Sequence, residues 1–349
     1  MISGIQQMGI GIPNVHEAWT WYRKHLGMDV PIFEEAATAA LMLPYTGGKP
    51  HDRHAILALS MQGGGGFEIW QYTSRTPEAP KFNIELGDLG INICKMKCKD
   101  VDAAFHFLQN QKVTLSEAVV TAPNGQKHFY AQDPYGNIFE LVQFDSFFKD
   151  TKALNGGVAG AVIGVSDIDA SLGLYTKVLG YDKIVYDKTE EFSDFNGISK
   201  PGEVYRRILL QHTEKRKGAF SPLLGPTEIE LVQKKTSIGR KIYENRYWGD
   251  LGFIHLCFDV TDMSAIQAKA TTEGYDFTVD SANSFDMGEA AGHFTYIADP
   301  DGTLIEFVET HKIPIMKKLG WYLNLQSRNP EKSLPRWLLL ALGLNRKKD

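Results

Sequence analysis

The sequence predicts an α+β fold in which four βαβββ modules pair into two cup-shaped mixed sheets with helices on the outside. Repeated phrases in the chain support this prediction. Residues 87–90 and 249–252 both read GDLG, and each copy leads into a strand and then into a helix that opens with Asp. The two units also close alike, since residues 133–142 (DPYGNIFELV) match residues 299–308 (DPDGTLIEFV). Self-similarity of this kind indicates repeated structural units.

A second pair of units alternates with the first pair. Residues 22–29 (YRKHLGMD) match residues 175–182 (YTKVLGYD), and in both units the helix ends at Leu-Gly, a common helix stop. The predicted modules cover residues 2–73, 86–145, 156–235 and 250–310. One module is too small to bury its own sheet, so modules must pair. We therefore predict two domains, 1–150 and 151–310, followed by a basic amphipathic tail at 311–349.

Composition restricts the class of protein. A net charge of −5 and the absence of an early basic block give no reason to expect a nucleic-acid partner. No apolar run is long enough to span a membrane, and no secretory signal is visible, so an integral membrane protein is not expected. The three cysteines suit a reduced compartment and inert buried thiols. These features predict a cytoplasmic protein.

The unit that starts at residue 250 contains the first sign of a site. Its opening strand, 253–260, alternates, so that His255 lies on the face opposite the apolar residues. The predicted core face comprises Ile254, Leu256, Phe258 and Val260. In the closing strand, Glu306 takes the same kind of non-core position between Ile305 and Phe307. One imidazole and one carboxylate on this face form half of a metal site.

With these motifs the chain resembles the vicinal oxygen chelate superfamily, whose members include glyoxalase I, extradiol dioxygenases and bleomycin-resistance proteins. The resemblance covers residues 2–310 and is carried by the D-P-x-G-x-x-x-E endings and the Tyr-x-x-x-Leu-Gly helix ends. In this superfamily, metal ligands come from the first and last strands of two paired modules. The first-strand positions here are Gln7, Ile93, Gly160 and His255, and the last-strand positions are Glu68, Glu140, Glu230 and Glu306.

Two module pairings are compatible with the sequence. Consecutive pairing divides the candidate ligands into one set of Gln7, Glu68 and Glu140 and another of Glu230, His255 and Glu306. Crossed pairing, first with fourth and second with third, unites Gln7, Glu68, His255 and Glu306. It leaves Glu140 and Glu230 in a second pocket without a nitrogen ligand. The crossed set is the one found in glyoxalase I of the animal type, which favours that pairing, and the consecutive arrangement stays open.

The resemblance implies a chemistry for the crossed set. Gln7, Glu68, His255 and Glu306 would hold a divalent metal, Zn, Ni or Co rather than Fe. Either Glu306 or Glu68 would act as the base that removes a proton next to a metal-bound carbonyl of a small molecule. The activity expected is that of a glyoxalase-like lyase or isomerase. Trp70 and Tyr72 share the face of Glu68 and are candidate substrate-binding residues, although Trp70 could equally be a core residue.

Two other functions remain open at this stage. One is a non-catalytic small-molecule binding protein of the resistance type. The other is an Fe(II) ring-cleaving dioxygenase, which needs two imidazoles and one carboxylate. Its ligands would fall on Gly160, His255 and Glu306, and Gly160 disfavours it. His293 and His128 on adjoining strands could replace the missing imidazole, although ordinary partly buried histidines are expected there.

The remaining expectations concern residues outside this set. Glu140 and Glu230 are expected on a solvated face, and Lys95 is expected to be a surface lysine rather than an anion ligand. The four glycines at 63–66 are read as a hairpin tip, because no Lys-Ser/Thr follows as in a phosphate loop. The tail, with its Pro residues and short apolar patches, is expected to dock on the protein's own domains or on a second subunit in a homodimer, rather than on a membrane.

Overall fold

The computed structural model describes residues 1–282, 285–286, 291–316 and 321–347. The described strands form two mixed sheets, and the main hydrophobic cluster joins the helices to one face of each sheet. Within the described ranges, no helix has the length and apolar character needed to cross a membrane. The predicted α+β fold with two curled mixed sheets is confirmed.

The first two modules begin with a long strand and a helix and end with a strand that returns beside the first. The first module comprises β1 (Ile2–Gly11), α1 (Val15–Leu26), β2 (Val30–Thr38), a 3₁₀ turn (Leu43–Tyr45), β3 (Asp52–Leu59) and β4 (Gly66–Tyr72). The second comprises β5 (Gly90–Cys98), α2 (Val101–Asn110), β6 (Thr114–Leu115), β7 (Val120–Thr121), β8 (Lys127–Gln132) and β9 (Ile138–Gln143).

The last two modules and the tail follow the same plan with short additions. The third module comprises β10 (Asn155–Gly164), α3 (Ile168–Leu172) continued by a π-helical turn (Gly173–Val178), β11 (Lys183–Glu190), a 3₁₀ turn (Ser193–Phe195), β12 (Tyr205–Gln211), α4 (Ser221–Leu224) and β13 (Glu228–Lys234). The fourth comprises β14 (Gly252–Val260), α5 (Met263–Thr272), β15 (Val279–Asp280), β16 (Phe285–Asp286), β17 (Ala291–Ala298) and β18 (Leu304–Met316). The tail adds β19 (Trp321–Asn324), α6 (Arg336–Ala341) and a 3₁₀ turn (Leu342–Asn345).

Local sequence explains the ends of the principal helix. The Asn14 side chain accepts hydrogen bonds from the backbone N–H groups of His16 and Glu17, which caps the first turn of α1. At the other end, Gly27 adopts a left-handed conformation with φ +75°, and this ends the helix. The Leu-Gly motif of the sequence is therefore a helix stop.

Each sheet unites modules that are distant in the chain. One sheet has the strand order β15-β17-β18-β14-β1-β4-β3-β2, with β16 beside β17 and β19 beside β18. The other has the order β11-β12-β13-β10-β5-β9-β8-β6, with β7 beside β8. The first module thus shares a sheet with the fourth, and the second with the third, which is the crossed arrangement. The division at residues 150 and 310 does not follow the sheets, and as a statement about domains it stays a prediction.

Consecutive modules meet through their helices and turns. The Tyr22 hydroxyl of α1 donates a hydrogen bond of 2.7 Å to Asp133 Oδ2 in the turn before β9. The Tyr175 hydroxyl repeats this contact at 2.9 Å with Asp299 Oδ2 in the turn before β18. The two repeated motifs of the sequence, Tyr-x-x-x-Leu-Gly and Asp-Pro-x-Gly, are therefore partners in one tertiary contact.

The glycine run at 63–66 joins the two sheets. It does lie between β3 and β4, as a hairpin tip would, but all four glycines are buried. Gly65 exchanges backbone hydrogen bonds of 3.0 and 2.8 Å with Val158 of β10. A Cβ on Gly64 would lie 2.8 Å from the Gly157 Cα, and Gly64 has φ +114°. Only glycine permits this approach of two backbones, so the predicted hairpin tip between β3 and β4 is also a contact between the two sheets.

The tail covers an apolar surface of the protein itself. β18 runs on to Met316, beyond the predicted limit of 310. Leu334 and Leu339 are buried against Met61, Phe148 and Leu223. The expectation that the tail docks on its own chain is confirmed for the described part of the tail, and the homodimer stays a prediction.

Candidate functional site

Four predicted side chains converge on the concave face of the sheet formed by the first and fourth modules, which we call the first cup. Gln7, Glu68, His255 and Glu306 lie on β1, β4, β14 and β18, which are neighbours in the sheet order. The carboxylates lie on strands that run parallel to the strands carrying the amide and the imidazole. Crossed pairing is what brings the two halves of the set together.

The donor atoms of this set lie close to one another. His255 Nε2 is 3.1 Å from Glu306 Oε2 and 3.3 Å from Glu68 Oε2. Gln7 Nε2 is 3.3 Å from Glu68 Oε2 and 3.4 Å from Glu306 Oε2. His255 is 0 %, Gln7 4 % and Glu306 6 % exposed. The site is therefore a compact polar cluster that is largely withdrawn from solvent.

Two irregularities in the central strand pair aim these side chains. Between Ile5 and Gln7 the register of β1 against β14 shifts by one residue, and a second shift places Ile254 as an extra residue in β14. Bulges of this kind re-aim side chains. Ile254 therefore packs with the aromatic residues of the cup, whereas Phe253 joins the main core. The predicted assignment of Ile254 to the core face is wrong, because simple alternation fails at a bulge.

The imidazole of His255 lies directly over Gly9 of the neighbouring strand. A Cβ on Gly9 would be 2.4 Å from His255 Cε1 and 2.8 Å from Nε2. Real Cβ atoms do not approach other heavy atoms this closely. Gly9 thus makes the space in which the ring sits.

An aromatic wall surrounds the cluster. Trp70 and Tyr72 lie on this side of the sheet, as predicted, but both are buried. The Tyr72 hydroxyl donates a hydrogen bond to the Trp248 carbonyl, and the ring centroids of Trp70 and Trp248 are 4.2 Å apart. Trp248 stacks on His255 at 6.2 Å with an interplanar angle of 10°, and Tyr296 meets His255 edge-on at 5.6 Å. Sequence reasoning missed Trp248 and Tyr296. The position of Trp248 next to the repeated GDLG phrase was the available signal.

Charge on the imidazole depends on the two carboxylates. Burial alone would lower the pKa of His255, but Glu306 and Glu68 outweigh it and raise that pKa to about 9. Burial and the Glu306 carboxylate both raise the pKa of the Tyr296 hydroxyl and of the Cys257 thiol. Without a metal ion, the proton of His255 therefore balances part of the negative charge.

The cluster has the properties of a divalent metal site. Neither ring nitrogen of His255 has a partner with hydrogen-bond geometry, and Gln7 Oε1 is also buried without one. Ligand atoms about 2.0–2.2 Å from one zinc ion lie about 2.8–3.6 Å from one another in octahedral or tetrahedral geometry, and the distances of 3.1 and 3.3 Å from His255 Nε2 to the two carboxylates fall in this range. Glu68, His255 and Glu306 each offer one donor atom, and these atoms lie within 4.8 Å of one another. The donor set fits a metal ion.

A family model settles the relationship that the motifs suggest. The model of the Glyoxalase/Bleomycin resistance protein/Dioxygenase superfamily matches residues 4–141 and 157–307. The chain belongs to this superfamily. A search of curated proteins gives no significant match.

Solved structures of the superfamily type share the fold. Glyoxalase I from Zea mays has a TM-score of 0.53 at 14 % identity, over 88 % of this chain and 92 % of that chain. A candidate dioxygenase from Bacillus subtilis has a TM-score of 0.58 at 14 % identity, over 88 % of this chain and 85 % of that chain. At this identity the likeness shows the fold alone.

The second and third modules form the other sheet, whose cavity we call the second cup. A lysine side chain of the protein itself lies inside it. Lys95 Nζ lies 2.7 Å from Glu228 Oε1, 2.9 Å from Glu230 Oε2 and 3.4 Å from Glu140 Oε2. Lys95 is 2 % exposed, and Glu140 and Glu230 are 1 % and 0 % exposed. The expected surface positions of these three residues are wrong, because crossed pairing encloses the strand faces that carry them.

Further charges complete the second cup. His128 Nδ1 lies 2.9 Å from Glu140 Oε1, and its Nε2 lies 3.4 Å from Asp194 Oδ2. Arg207 pairs with Asp194 at 2.6 Å and also with Glu230. β8, whose residues are outside the first-strand and last-strand positions, thus supplies an imidazole to this pocket, and His128 is paired there with acids of the protein itself.

The remaining candidate residues lie away from the first cup. Gly160 belongs to the second cup, where a Cβ would lie 1.9 Å from the Glu228 carbonyl oxygen. His293 pairs with Asp280 at 2.5 Å, and it is absent from the groups of potential metal ligands found among the described residues. Neither His293 nor His128 provides a second imidazole beside His255, so among the described residues the first cup lacks the two-imidazole ligand set that the dioxygenase hypothesis places there.

Proposed function

We propose that the first cup is the active site of a metal-dependent, glyoxalase-like lyase or isomerase that removes a proton next to a carbonyl of a small molecule. The observation that carries the proposal is the convergence of Gln7, Glu68, His255 and Glu306 from four adjacent strands. Family membership supports the scaffold, and the reaction itself rests on the ligand set.

These four residues would hold the ion. A divalent ion bound here would act as a Lewis acid on neighbouring oxygens of the substrate. The Gln7 amide now directs its NH₂ group to the carboxylates and leaves Oε1 without a partner. A half-turn of the amide about its last torsion would present that oxygen to a cation instead.

One of the two carboxylates would serve as the general base. Both Glu68 and Glu306 place an oxygen within 3.3 Å of the imidazole, so both border the same small volume. A carboxylate can accept a proton from a substrate carbon that lies beside it. The Glu68 side chain is 13 % exposed and that of Glu306 is 8 % exposed, so neither is sealed from an entering molecule.

The aromatic wall would shape the substrate site. Trp70, Trp248 and Tyr296 surround the polar cluster, with apolar contacts from Ile254 and Leu304. Such a lining excludes water and suits a small molecule with an apolar or flat part. We place Trp70 and Tyr72 in this role as walls of the cup.

Metal content of the wild type and His255→Ala tests the centre. The variant should contain about one zinc, nickel or cobalt ion per chain fewer than the wild type, because it loses the one imidazole ligand of the set. His106→Ala, an exposed histidine on α2, is the matched control. Equal metal content and equal uptake in the two variants would refute the centre. A wild type that contains no metal when prepared without chelator, and takes up none on titration, would favour a metal-free binding protein. Iron lost with His255 would favour an oxygenase.

Two isosteric variants test the base. Glu68→Gln and Glu306→Gln should each lower the turnover of an aldehyde–thiol adduct at least about 100-fold, since general-base catalysis contributes about 10²–10⁴. The variant that keeps the metal yet loses turnover identifies the base. If both variants retain the metal and full turnover, proton removal by these carboxylates is refuted.

A further inference from the structure

A second group of metal-binding side chains lies on the outer face of the first module. His16, Glu34 and His54 each offer one donor atom, and the three atoms lie within 4.8 Å of one another. Glu34 and His54 are on the strand face that carries Ile56, which packs in the main core beside α1. Arg53 and Ala55 point to the opposite face, where Ala55 joins the aromatic cluster of the first cup. The group is therefore separate from the cup.

The fold positions each member of the group. His16 stands in the first turn of α1, where its backbone N–H donates to the Asn14 cap at 3.1 Å. Glu34 pairs with Ile56 and His54 pairs with Ala36 in the antiparallel β2–β3 ladder. Glu34 and His54 are thus diagonal neighbours on one face, a distance that long side chains span. A helix end and a two-stranded ladder bring the three donors together.

The distances within the group are close to those between ligands of one metal ion. Glu34 Oε1 lies 3.3 Å from His54 Nε2 and 3.7 Å from His16 Nε2. N–H···O hydrogen bonds are shorter, about 2.7–3.2 Å, whereas ligand atoms about 2.0–2.2 Å from a tetrahedral zinc ion are about 3.3–3.6 Å apart. The Glu34–His54 distance lies in this range and the Glu34–His16 distance is slightly longer. The two imidazole rings are 5.2 Å apart and perpendicular at 89°, so both Nε2 atoms can point to one centre without a ring clash.

We propose that His16, Glu34 and His54 form a second divalent-metal site, for zinc or another borderline metal such as nickel or copper. Two imidazoles and one carboxylate suit these ions. The side chains are 61 %, 43 % and 25 % exposed, so water reaches the remaining coordination positions. A bound ion would link the start of α1 to the β2–β3 ladder. The proposal shares no residue with the first cup and does not rest on its function.

Zinc binding to four proteins tests this site: wild type, His16→Ala/His54→Ala, His255→Ala, and the triple variant. After removal of metal, each protein is titrated with zinc in competition with a chromogenic chelator, and bound zinc is counted by elemental analysis. The wild type should bind about two zinc ions per chain. His16→Ala/His54→Ala and His255→Ala should each bind about one, and the triple variant should bind none. Glu34→Gln keeps the packing and removes one ligand charge. It should lower the zinc affinity of this site by at least about 10- to 100-fold, which is the loss expected when only a hydrogen-bond partner of a ligand is removed.

The outcomes separate the two sites. If His16→Ala/His54→Ala binds as much zinc as the wild type with the same affinities, the outer site is refuted, whatever His255→Ala does. If the variants at His16, His54 and Glu34 lose zinc but His255→Ala does not, the outer site is supported and the metal-dependent function of the first cup is refuted. His106→Ala again serves as the control. Electron paramagnetic resonance of bound Cu²⁺ adds a direct test, because nitrogen couplings from two imidazoles should disappear in the double variant.

Discussion

At Gly9 the absence of a side chain creates the position of the candidate metal ligand His255. The backbone there has no left-handed φ angle, so the reason for glycine is space alone. The imidazole needs this space because Trp248 stacks on the ring and Tyr296 stands at its edge. A residue that carries no functional group is therefore part of the site.

Gly9→Ala should displace the His255 ring and weaken metal binding at least about tenfold, by analogy with the loss of an outer-shell partner. Overpacking of this kind costs about 1–3 kcal/mol, so the protein should stay folded. Gly173→Ala is the matched control: the φ angle of Gly173 is −55°, and its Cβ would lie 3.5 Å from the Tyr275 hydroxyl. Zinc titration with circular dichroism measures both effects. Unchanged zinc affinity in Gly9→Ala would contradict this account of the ring's position.

Among the elements, the helix-to-turn contact between consecutive modules explains why two motifs repeat together. Tyr22 reaches Asp133 and Tyr175 reaches Asp299, in each case from a helix of one module to the closing turn of the next. Burial raises the pKa of Asp133, and that of Asp299 to about 6. The hydroxyl donors therefore stabilise carboxyl groups that have little access to water.

Tyr22→Phe should lower the free energy of unfolding by about 1–3 kcal/mol, because Asp133 loses a buried hydrogen-bond donor. Tyr175→Phe should have a similar effect through Asp299. Tyr322→Phe, at a side chain that is 38 % exposed, should change stability by less than about 0.5 kcal/mol. Urea unfolding measures all three. An effect at Tyr22 no larger than that at Tyr322 would show that the repeated contact contributes nothing to stability.

At the scale of the whole molecule, the two cups differ in which groups face their carboxylates. In the first cup the acids face an amide and one imidazole, a set suited to an external cation. In the second cup Lys95 and Arg207 supply cations from the chain itself. Removing one partner of a buried ion pair costs about 3–5 kcal/mol, because the other charge is left unpaired, so we expect substitutions of these charges in the second cup to destabilise the fold.

The pH dependence of stability should report on His128 in the second cup. Burial would lower its pKa, but Glu140 and Asp194 raise it to about 9. Because this pKa is raised, the His128 charge adds to the free energy of unfolding. The contribution is complete below the ordinary pKa of about 6.5, is lost as pH rises through about 9, and is at most about 3 kcal/mol. Burial opposes ionisation of Glu140, but Lys95 and His128 lower its pKa, so its contribution is lost as pH falls below about 4.3.

His128→Gln should therefore be less stable than the wild type at pH 5.5, with the difference shrinking above about pH 9. The groups that face this ring are Glu140, Asp194 and the Tyr130 ring, with Lys95 and Arg207 behind the acids. Urea unfolding at both pH values, with His106→Gln as the exposed control, measures the difference. A difference that does not depend on pH would mean that the His128 charge does not stabilise the fold.

Local sequence determined the four modules, the helix ends and the positions of Gln7, Glu68, His255 and Glu306 on their strands. These features follow from period-two alternation, capping residues and turn chemistry, all of which act within a few residues. Ile254 shows the limit of local sequence patterns. Its predicted place on the core face is wrong because it lies in a bulge, and the position of a bulge depends on the partner strand.

Only the tertiary structure decided which modules share a sheet. That choice depends on which strand edges form hydrogen bonds across long stretches of chain, and the repeats are compatible with either pairing. The pairing in turn buried Lys95, Glu140 and Glu230, made the glycines at 63–66 a junction between the sheets, and brought Gln7 and Glu68 against His255 and Glu306. Burial and charge pairing arise from contacts between distant segments, and so the sequence alone could identify the candidate ligands but not their surroundings.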